Sequence, residues 1–449
     1  MRIRTSRFRI AAAAISVAML ATACADDTTD PEGEDEPVEE PADDADDADD
    51  ADDGGDAGAS GVVTVAAGDA IQIRSLEAIS GDVAFLGIPN QRATQIAIDD
   101  FGQIEGFDVD LGTPLDDLCD SAGGQSAAQT IAADEQVVGV IGTSCSGAAV
   151  AAMPIISDAG LVMISASNTS PSLTSDLAGT AGADYRSGYY RTAHNDLFQG
   201  RAVAEFVFNE QGIESAAAIH DGDPYTNGLA QAFADAFEEL GGTITTVTAV
   251  NKGDTDMTGV LIEVGEGEPG ALFFPIFMPE AGFIAQQIGD VDSLSDALLI
   301  SADGTLTDNF IELPETVGIF HSGPSLSFEG NVNAATGVSA EDFLANYEEA
   351  HGEAPSAPFW AHAYDATTLL LSAIQEVAEL GDDGNLTIDR QALRDALAAT
   401  SGFEGIIGTL SCDEFGDCGA QRISVVEHNE GETTASELSD NIVFEYAPQ

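Results

Sequence analysis

The sequence predicts an α/β protein built from two doubly wound parallel-sheet lobes, on three observations. Short apolar runs of strand length alternate with stretches whose apolar residues recur every three or four positions, as on one face of a helix. This pattern begins near Val62 and starts again at Ala216. The patterned part of the 449-residue chain is also too long for one ordinary core.

Val62 to Val65 and Ile71 to Leu76 read as strands, and Gly87-Ile88-Pro89 opens a helix with Ala93, Ile96, Ala97, Phe101 and Ile104 on one face. A second helix is expected around Ser126 to Asp134. The strand Val137 to Gly142, a helix from near Gly147 and the buried strand Leu161 to Ile164 follow. Strands and helices alternating at this pitch imply a parallel sheet covered on both faces. In the second unit Ala216 to Ile219 is a strand, and Leu229, Phe233, Phe237 and Leu240 mark a helix by their spacing. Further strands are Thr243 to Val250, Ala271 to Phe274, Leu298 to Ser301 and Val317 to Phe320, with Phe283, Ile284 and Ile288 on an intervening helix. Two long helices, Trp360 to Leu380 and Asp389 to Thr400, precede a short β region around Cys412 to Val426.

The N-terminus has the pattern of an export signal, residues 1–23: Arg2, Arg4, Arg7 and Arg9 precede an apolar stretch from Ile10 to Ala23 that is too short for a permanent membrane span. It ends in Ala21-Thr22-Ala23-Cys24, which resembles a bacterial lipobox with Cys24 as the lipidated residue; a plain secretory signal cut after Ala23 is the competing reading. Either places the mature chain outside the cytoplasm, at the cell surface or in a periplasm. Residues 24–60 are almost wholly Asp, Glu, Ala, Gly and Pro, so like-charge repulsion predicts a disordered, lipid-anchored acidic stalk. A calcium loop would need an ordered ligand-and-glycine spacing that this tract lacks.

The chain has 13 lysines and arginines against 79 acids, and Lys252 is its single lysine. Such a surface excludes nucleic acid as a partner, and its self-repulsion suits a saline habitat. Apart from Cys24 there are four cysteines, Cys119, Cys145, Cys412 and Cys418, which in an exported chain allow three connectivities; pairing neighbours is the most local of them. Their spacing is not that of a structural zinc site. No metal and no cofactor is expected.

Four blocks resemble the type I solute-binding proteins of the branched-chain amino acid uptake family, over nearly all of the chain from Val62 onward. They are Gly139-Val140-Ile141-Gly142-Thr143-Ser144-Cys145-Ser146; Met163-Ile164-Ser165-Ala166-Ser167-Asn168-Thr169-Ser170-Pro171-Ser172-Leu173-Thr174; Tyr190-Arg191-Thr192 with the downstream Ile219-His220-Asp221-Gly222-Asp223-Pro224-Tyr225-Thr226-Asn227-Gly228-Leu229; and Ser301-Ala302-Asp303-Gly304 with Ala361-His362-Ala363-Tyr364-Asp365-Ala366 behind it. The resemblance supports pairing Cys119 with Cys145. It implies a type I periplasmic binding protein fold with a ligand cleft between the lobes. It also implies an extracytoplasmic substrate-binding role for an ABC permease and ATPase, with a small solute such as an amino acid as ligand. The chain is expected to be a monomer that touches membrane only through its lipid. Residues 61–192 with 322–402 would form the first lobe, and 193–321 with 403–449 the second.

The residues of those blocks suit this chemistry in their own right. Ser144, Ser146 and Gly147 stand where a strand gives way to a helix, so hydroxyls and free backbone N–H groups converge on a point fit for a carboxylate. Ser167, Asn168 and Thr169 lie at the carboxyl end of the next strand, the edge at which open α/β sheets hold ligands. By resemblance, Ser146 and Thr169 would hold an α-carboxylate, Ser167 and Thr169 would assist the amine, Asp303 would neutralise it, and Tyr225 would cover the ligand. Plainer roles compete: serines and threonines near helix starts are commonly N-caps, an Asp before Gly is commonly a turn residue, and Tyr225 after Pro224 could be a surface aromatic. Phe85-Leu86 stands where the family often has an aromatic residue with a hydroxyl, and Phe277 replaces a tyrosine-rich stretch, which implies a less polar side-chain pocket. Ser167-Asn168, in place of small apolar residues, and Asp303, one methylene shorter than the usual glutamate, set this site further apart from a plain leucine, isoleucine or valine site.

Two other functions compete. Gly142-Thr143-Ser144-Cys145-Ser146 approaches the nucleophile turn of α/β hydrolases, with Ser144 as nucleophile, but the final glycine is missing. His321, His351 and His362 have no acid placed to complete a triad, so an enzyme is not expected. A two-lobed sensory receptor would share every feature above and is the other alternative.

Overall fold

The computed structural model describes residues 61–328 and 330–448. The export signal, Cys24 and the acidic stalk lie outside the described residues.

Two open sheets organise the chain. In the first, Val109–Asp110, Ile71–Glu77, Val137–Gly142, Val162–Ser165 and Tyr189–Arg191 lie side by side, all parallel, and Leu115–Asp116 also pairs with Ile71–Glu77. In the second, Phe320–Pro324, Leu298–Ser301, Ala271–Phe273, Ser215–His220 and Thr243–Ala249 are parallel, and Ile423–Glu427 and Ile442–Tyr446 extend the Phe320–Pro324 edge antiparallel. This is the α/β class expected from the sequence.

Each sheet is sandwiched between helices. Every residue of Val137–Gly142 is buried, as suits the centre of a sheet covered on both faces. On one face Ile73 and Val138 meet Ile98, Leu370 and Ile374 from the helices Ala84–Phe101 and Trp360–Val377. On the other, Val140 meets Ile131, Met153 and Ile156 from Ser121–Ala132 and Ser146–Asp158. In the second sheet Ala218 and Phe273 pack with Phe233 and Phe237, while Ala217 and Leu272 pack with Leu261 and Ile284. Parallel strands bring their carboxyl ends to one edge, and there Gly142 has φ +136°. A Cβ on it would lie 1.9 Å from the Leu76 carbonyl oxygen, so only glycine lets the two strands end so close together.

Several expected boundaries move for identifiable reasons. Val62–Val65 is a strand, but it pairs antiparallel with Leu386–Asp389 in a separate small sheet. The first helix begins at Ala84, not Gly87, with Pro89 inside it. Proline cannot donate to the carbonyl one turn back, which belongs to Phe85, and the Ser356 hydroxyl takes that carbonyl instead at 2.9 Å. The second helix starts at Ser121 because the Asp120 side chain caps it, accepting the Gly123 N–H at 2.7 Å. The strand expected at Val317 to Phe320 is Phe320–Pro324, because Pro314–Thr316 turns the chain first. The helix Ala340–His351 was not anticipated: Ser339 and Asp342 form its capping box, but only Phe343 and Tyr347 are buried, which is too few for an apolar stripe.

Candidate functional site

The site is built at the carboxyl edges of both sheets. After Gly142 the chain turns through Thr143 and Ser144, and the helix Ser146–Asp158 begins behind Cys145. The Cys119–Cys145 disulfide, with Cα atoms 5.1 Å apart, ties this turn to the loop before the helix Ser121–Ala132, and Cys412 is bonded to Cys418. Beside the first disulfide the buried Asp117 carboxyl accepts the N–H groups of Ser144 and Cys119, each at 2.7 Å. Burial pushes its pKa up to about 7.

Ser144 is bound on all sides. Its hydroxyl donates to Glu77 Oε2 at 2.5 Å and accepts the Ala78 N–H at 2.9 Å, and its carbonyl accepts the Ser167 hydroxyl at 3.0 Å. Asn168 is equally engaged: its Nδ2 donates to the Thr143 carbonyl at 2.9 Å, and its Oδ1 accepts from Thr143 Oγ1 and the Tyr189 hydroxyl at 3.1 and 3.2 Å. Both therefore brace the loops that carry the other candidates. Ser146, in the first turn of its helix, accepts the Ser170 N–H at 3.3 Å. Thr169 is fully buried, and its hydroxyl lies beside the Asp196 carboxyl.

Across the cleft, Asp303 follows the strand Leu298–Ser301. Its Oδ1 accepts from Gln199 Nε2 at 2.7 Å and from the Tyr225 hydroxyl at 3.2 Å, and burial raises its pKa to about 6. Tyr225 begins the helix Pro224–Glu239, which Asp223 caps, and its oxygen also accepts the Gly304 N–H at 3.2 Å. The Tyr225 ring packs on Phe277 with centroids 5.1 Å apart. Leu86 from the first side joins Tyr225, Phe277, Ala302 and Phe359 in one apolar cluster. Every residue named from the sequence as a ligand contact is buried, the most accessible being Ser167 at 7% exposure.

The structure adds residues that the sequence did not single out. Asp196 opens the helix Asp196–Glu205 and is fully buried; its N–H donates to the Thr169 carbonyl at 3.0 Å, and its carboxyl lies beside the Thr169 hydroxyl, Asp303 and the Arg191 guanidinium. Burial first, and the Asp303 charge second, push its pKa well above the carboxylate range. Gln199 on the same helix holds Asp303 and is itself bonded to His194 Nε2 at 2.5 Å. The only sequence signal for Asp196 was Asn195-Asp196 just past the third block, which reads as a helix cap, and Asn195 is that cap.

The two walls touch directly. The Ser170 hydroxyl donates to the Pro224 carbonyl at 3.1 Å, and Asn309 Nδ2 donates to the Asp82 carbonyl at 3.4 Å. Lys252 pairs with Asp223 at 3.2 Å. A separate apolar cavity of about 460 Å³, lined by Leu306, Leu326, Phe328, Leu344 and Trp360 among others, includes none of the predicted ligand residues.

The arrangement thus brings the hydroxyls and helix N-terminus at the strand ends of the first sheet together with the carboxyls and aromatic rings at the strand ends of the second. The sequence profile of the family described as "Periplasmic binding protein" matches residues 70–431. The chain belongs to that family. Among relatives of this periplasmic binding protein, the Leu/Ile/Val-binding protein homolog 3 of Brucella melitensis is 24% identical over 375 residues, 83% of this chain and 95% of that one. The leucine-, isoleucine-, valine-, threonine- and alanine-binding protein of Pseudomonas aeruginosa is 25% identical over 359 residues, 78% and 88% of the two chains. Two solved structures share the fold. The leucine binding protein LivK of Thermotoga maritima superposes with a TM-score of 0.71 at 24% identity, over 84% of this chain and 99% of that one. The branched-chain amino acid transporter substrate binding protein LivJ of Streptococcus pneumoniae, in complex with isoleucine, gives 0.67 at 23% identity, over 85% and 99%. The fold is that of type I periplasmic binding proteins, and the family implies an extracytoplasmic location. No helix among the described residues is long and apolar enough to cross a membrane.

Proposed function

We propose that this periplasmic binding protein captures an amino acid, or a closely similar zwitterion, for an ABC permease and ATPase, held to the membrane by lipid on Cys24 and acting as a monomer. The observation that supports this reading is the burial together of two hydroxyls, Ser146 and Thr169, with two carboxyls, Asp303 and Asp196, the last lying beside both Thr169 and Asp303. A carboxylate suits the first wall, where the helix Ser146–Asp158 directs its free N–H groups. An ammonium group suits the second, where two acids are buried together and the nearby Arg191 is already committed to Asp417. Residues 61–192 with 322–402, and 193–321 with 403–449, would be the two moving lobes, closing on the ligand because it bonds to both.

The hydrolase reading finds no support in the hydrogen bonds of Ser144, whose hydroxyl partner is the Glu77 carboxyl and not an imidazole. A thermal-shift screen of amino acids, small amides and aromatic acids tests the proposal. A ligand that binds the folded state raises the melting temperature, and amino acids are expected to give the largest rises. Hits confined to compounds without an amine would overturn the amino-acid reading and leave solute binding standing.

A further inference from the structure

Glu77 ends the central strand Ile71–Glu77 and is fully buried, yet no ion pair among the described residues includes it. One carboxyl oxygen accepts the Ser144 hydroxyl at 2.5 Å, and Oε1 has no hydrogen-bond partner. Asn90, on the helix Ala84–Phe101, is buried beside it, close enough for its side chain to support the charged carboxylate; its Nδ2 also reaches Ser167 Oγ at 3.4 Å, and its Oδ1 is unpartnered. These two groups therefore stand immediately behind Ser144 and Ser167. They do so on the wall where Leu86 leads the apolar cover. Nothing in the carboxylate and amine contacts already described uses them.

We propose that Glu77 and Asn90 form a hydrogen-bonding subsite in the floor of the cleft, and that the captured amino acid carries a donor on its side chain, a hydroxyl, an amide or an ammonium group. The inference rests on the amino-acid reading above and narrows it. Leu86, Tyr225 and Phe277 supply apolar contact to the body of such a side chain, while a buried acceptor left unpaired discriminates against an analogue without the donor. Burial, the strongest influence on Glu77, pushes its pKa well above the carboxylate range; the neutral carboxyl still accepts through its carbonyl oxygen from a hydroxyl or amide, and an ammonium group would favour its ionised form. The two departures at Leu86 and Phe277 thus remove hydroxyls from the cover of the pocket while Glu77 and Asn90 place polar atoms at its base.

Isothermal titration of the purified chain with matched pairs tests this: threonine against valine, glutamine against methionine, and ornithine against norvaline. At least one polar member is expected to bind about tenfold or more tightly than its apolar partner. Glu77→Leu should abolish that preference while amino acids still bind, and Glu77→Gln should keep much of it. If Glu77→Leu does not fold, Asn90→Leu is read the same way. Apolar members binding as well as polar ones in the wild type would overturn the subsite alone. So would a preference that survives both leucine variants, since Glu77 and Asn90 would then serve only to satisfy each other. If no amino acid binds, the amino-acid reading falls and the subsite with it.

Discussion

Asp223 Oδ2 lies 2.5 Å from the point that a Cβ on Gly147 would occupy. Gly147 is in the first turn of the helix Ser146–Asp158 on one wall, and Asp223 caps the helix Pro224–Glu239 on the other. The Asp223 side chain has little freedom to yield, since Oδ1 accepts the Tyr225 N–H at 3.0 Å and Oδ2 pairs with Lys252 at 3.2 Å. Glycine at 147 is thus what lets the walls meet. Gly147→Ala should weaken ligand binding by about 1–3 kcal/mol, the usual cost of overpacking a filled contact, with little change in the melting temperature of the ligand-free protein. Adding Asp223→Ala should restore part of the affinity. Equal affinity for wild type and Gly147→Ala in titration calorimetry would show that these walls need not touch in the bound state.

The Cys119–Cys145 bond closes a segment with a sequence separation of 26 and holds the turn that carries Ser146, whereas Cys412–Cys418 spans a separation of only 6. Constraint of the unfolded chain grows with loop length, so replacing the first pair by serines should cost about 2–4 kcal/mol in urea unfolding, and replacing the second should cost less. The first replacement should also weaken ligand binding, because Asp117 positions Ser144 through N–H groups on both sides of that bond. A larger loss of stability from the second pair would contradict this ordering.

Asp117 is pushed up to about 7, and Asp303 and Asp365 to about 6, with burial the leading cause in each. The folded chain therefore keeps protons that the unfolded chain gives up in the ordinary carboxylate range. Where the folded state binds more protons, stability falls as pH rises. The stability tied to these groups is present in full below the ordinary carboxylate range and is lost as pH rises through about 6 to 7. Three buried histidines, His194, His321 and His362, pushed down to about 4, 3 and 3, act in the opposite sense below the ordinary imidazole range. The acid contribution is therefore read as a difference: in about 1 M salt, where repulsion among the surface acids is screened, the ligand-free wild type should lose more stability between about pH 5 and pH 8 than Asp117→Asn does. Parallel pH profiles for the two proteins would show that Asp117 ionises without cost.

The fold was legible where chemistry is local. Val137–Gly142 is an unbroken apolar run closed by a glycine, and Leu229, Phe233 and Phe237 fall at helical spacing, so both elements announce themselves. Tyr225 and Asp303 could be named because whole blocks around them resemble a family, and the structure bonds the one to the other. Asp196, Glu77 and Asn90 gave no such signal. In sequence Asp196 looks like part of a helix cap, Glu77 like the polar end of a strand, and Asn90 like an ordinary residue on the face of a helix. What sets them apart is complete burial without a full set of partners, a property of tertiary packing. Ser144 and Asn168 show the converse, since their types and positions suit a ligand while folding engages their polar atoms within the loops.

The most direct test of the central claim is titration calorimetry of the wild type and Asp303→Ala with the best amino acid from the screen and with its counterpart lacking the amine. Asp303 and Asp196 are buried together, and the nearby cation, the Arg191 guanidinium on the Asp196 side, is already bonded to Asp417, so the ligand's ammonium group should be the partner that Asp303 takes. The amino acid should bind the wild type more tightly than the counterpart does. Asp303→Ala should cost the amino acid about 1.5–3 kcal/mol, the range for a hydrogen bond to a charged group, and cost the counterpart little. Equal losses for both compounds, or no loss for either, would contradict the assignment of Asp303 to an amine and with it the amino-acid reading of the cleft.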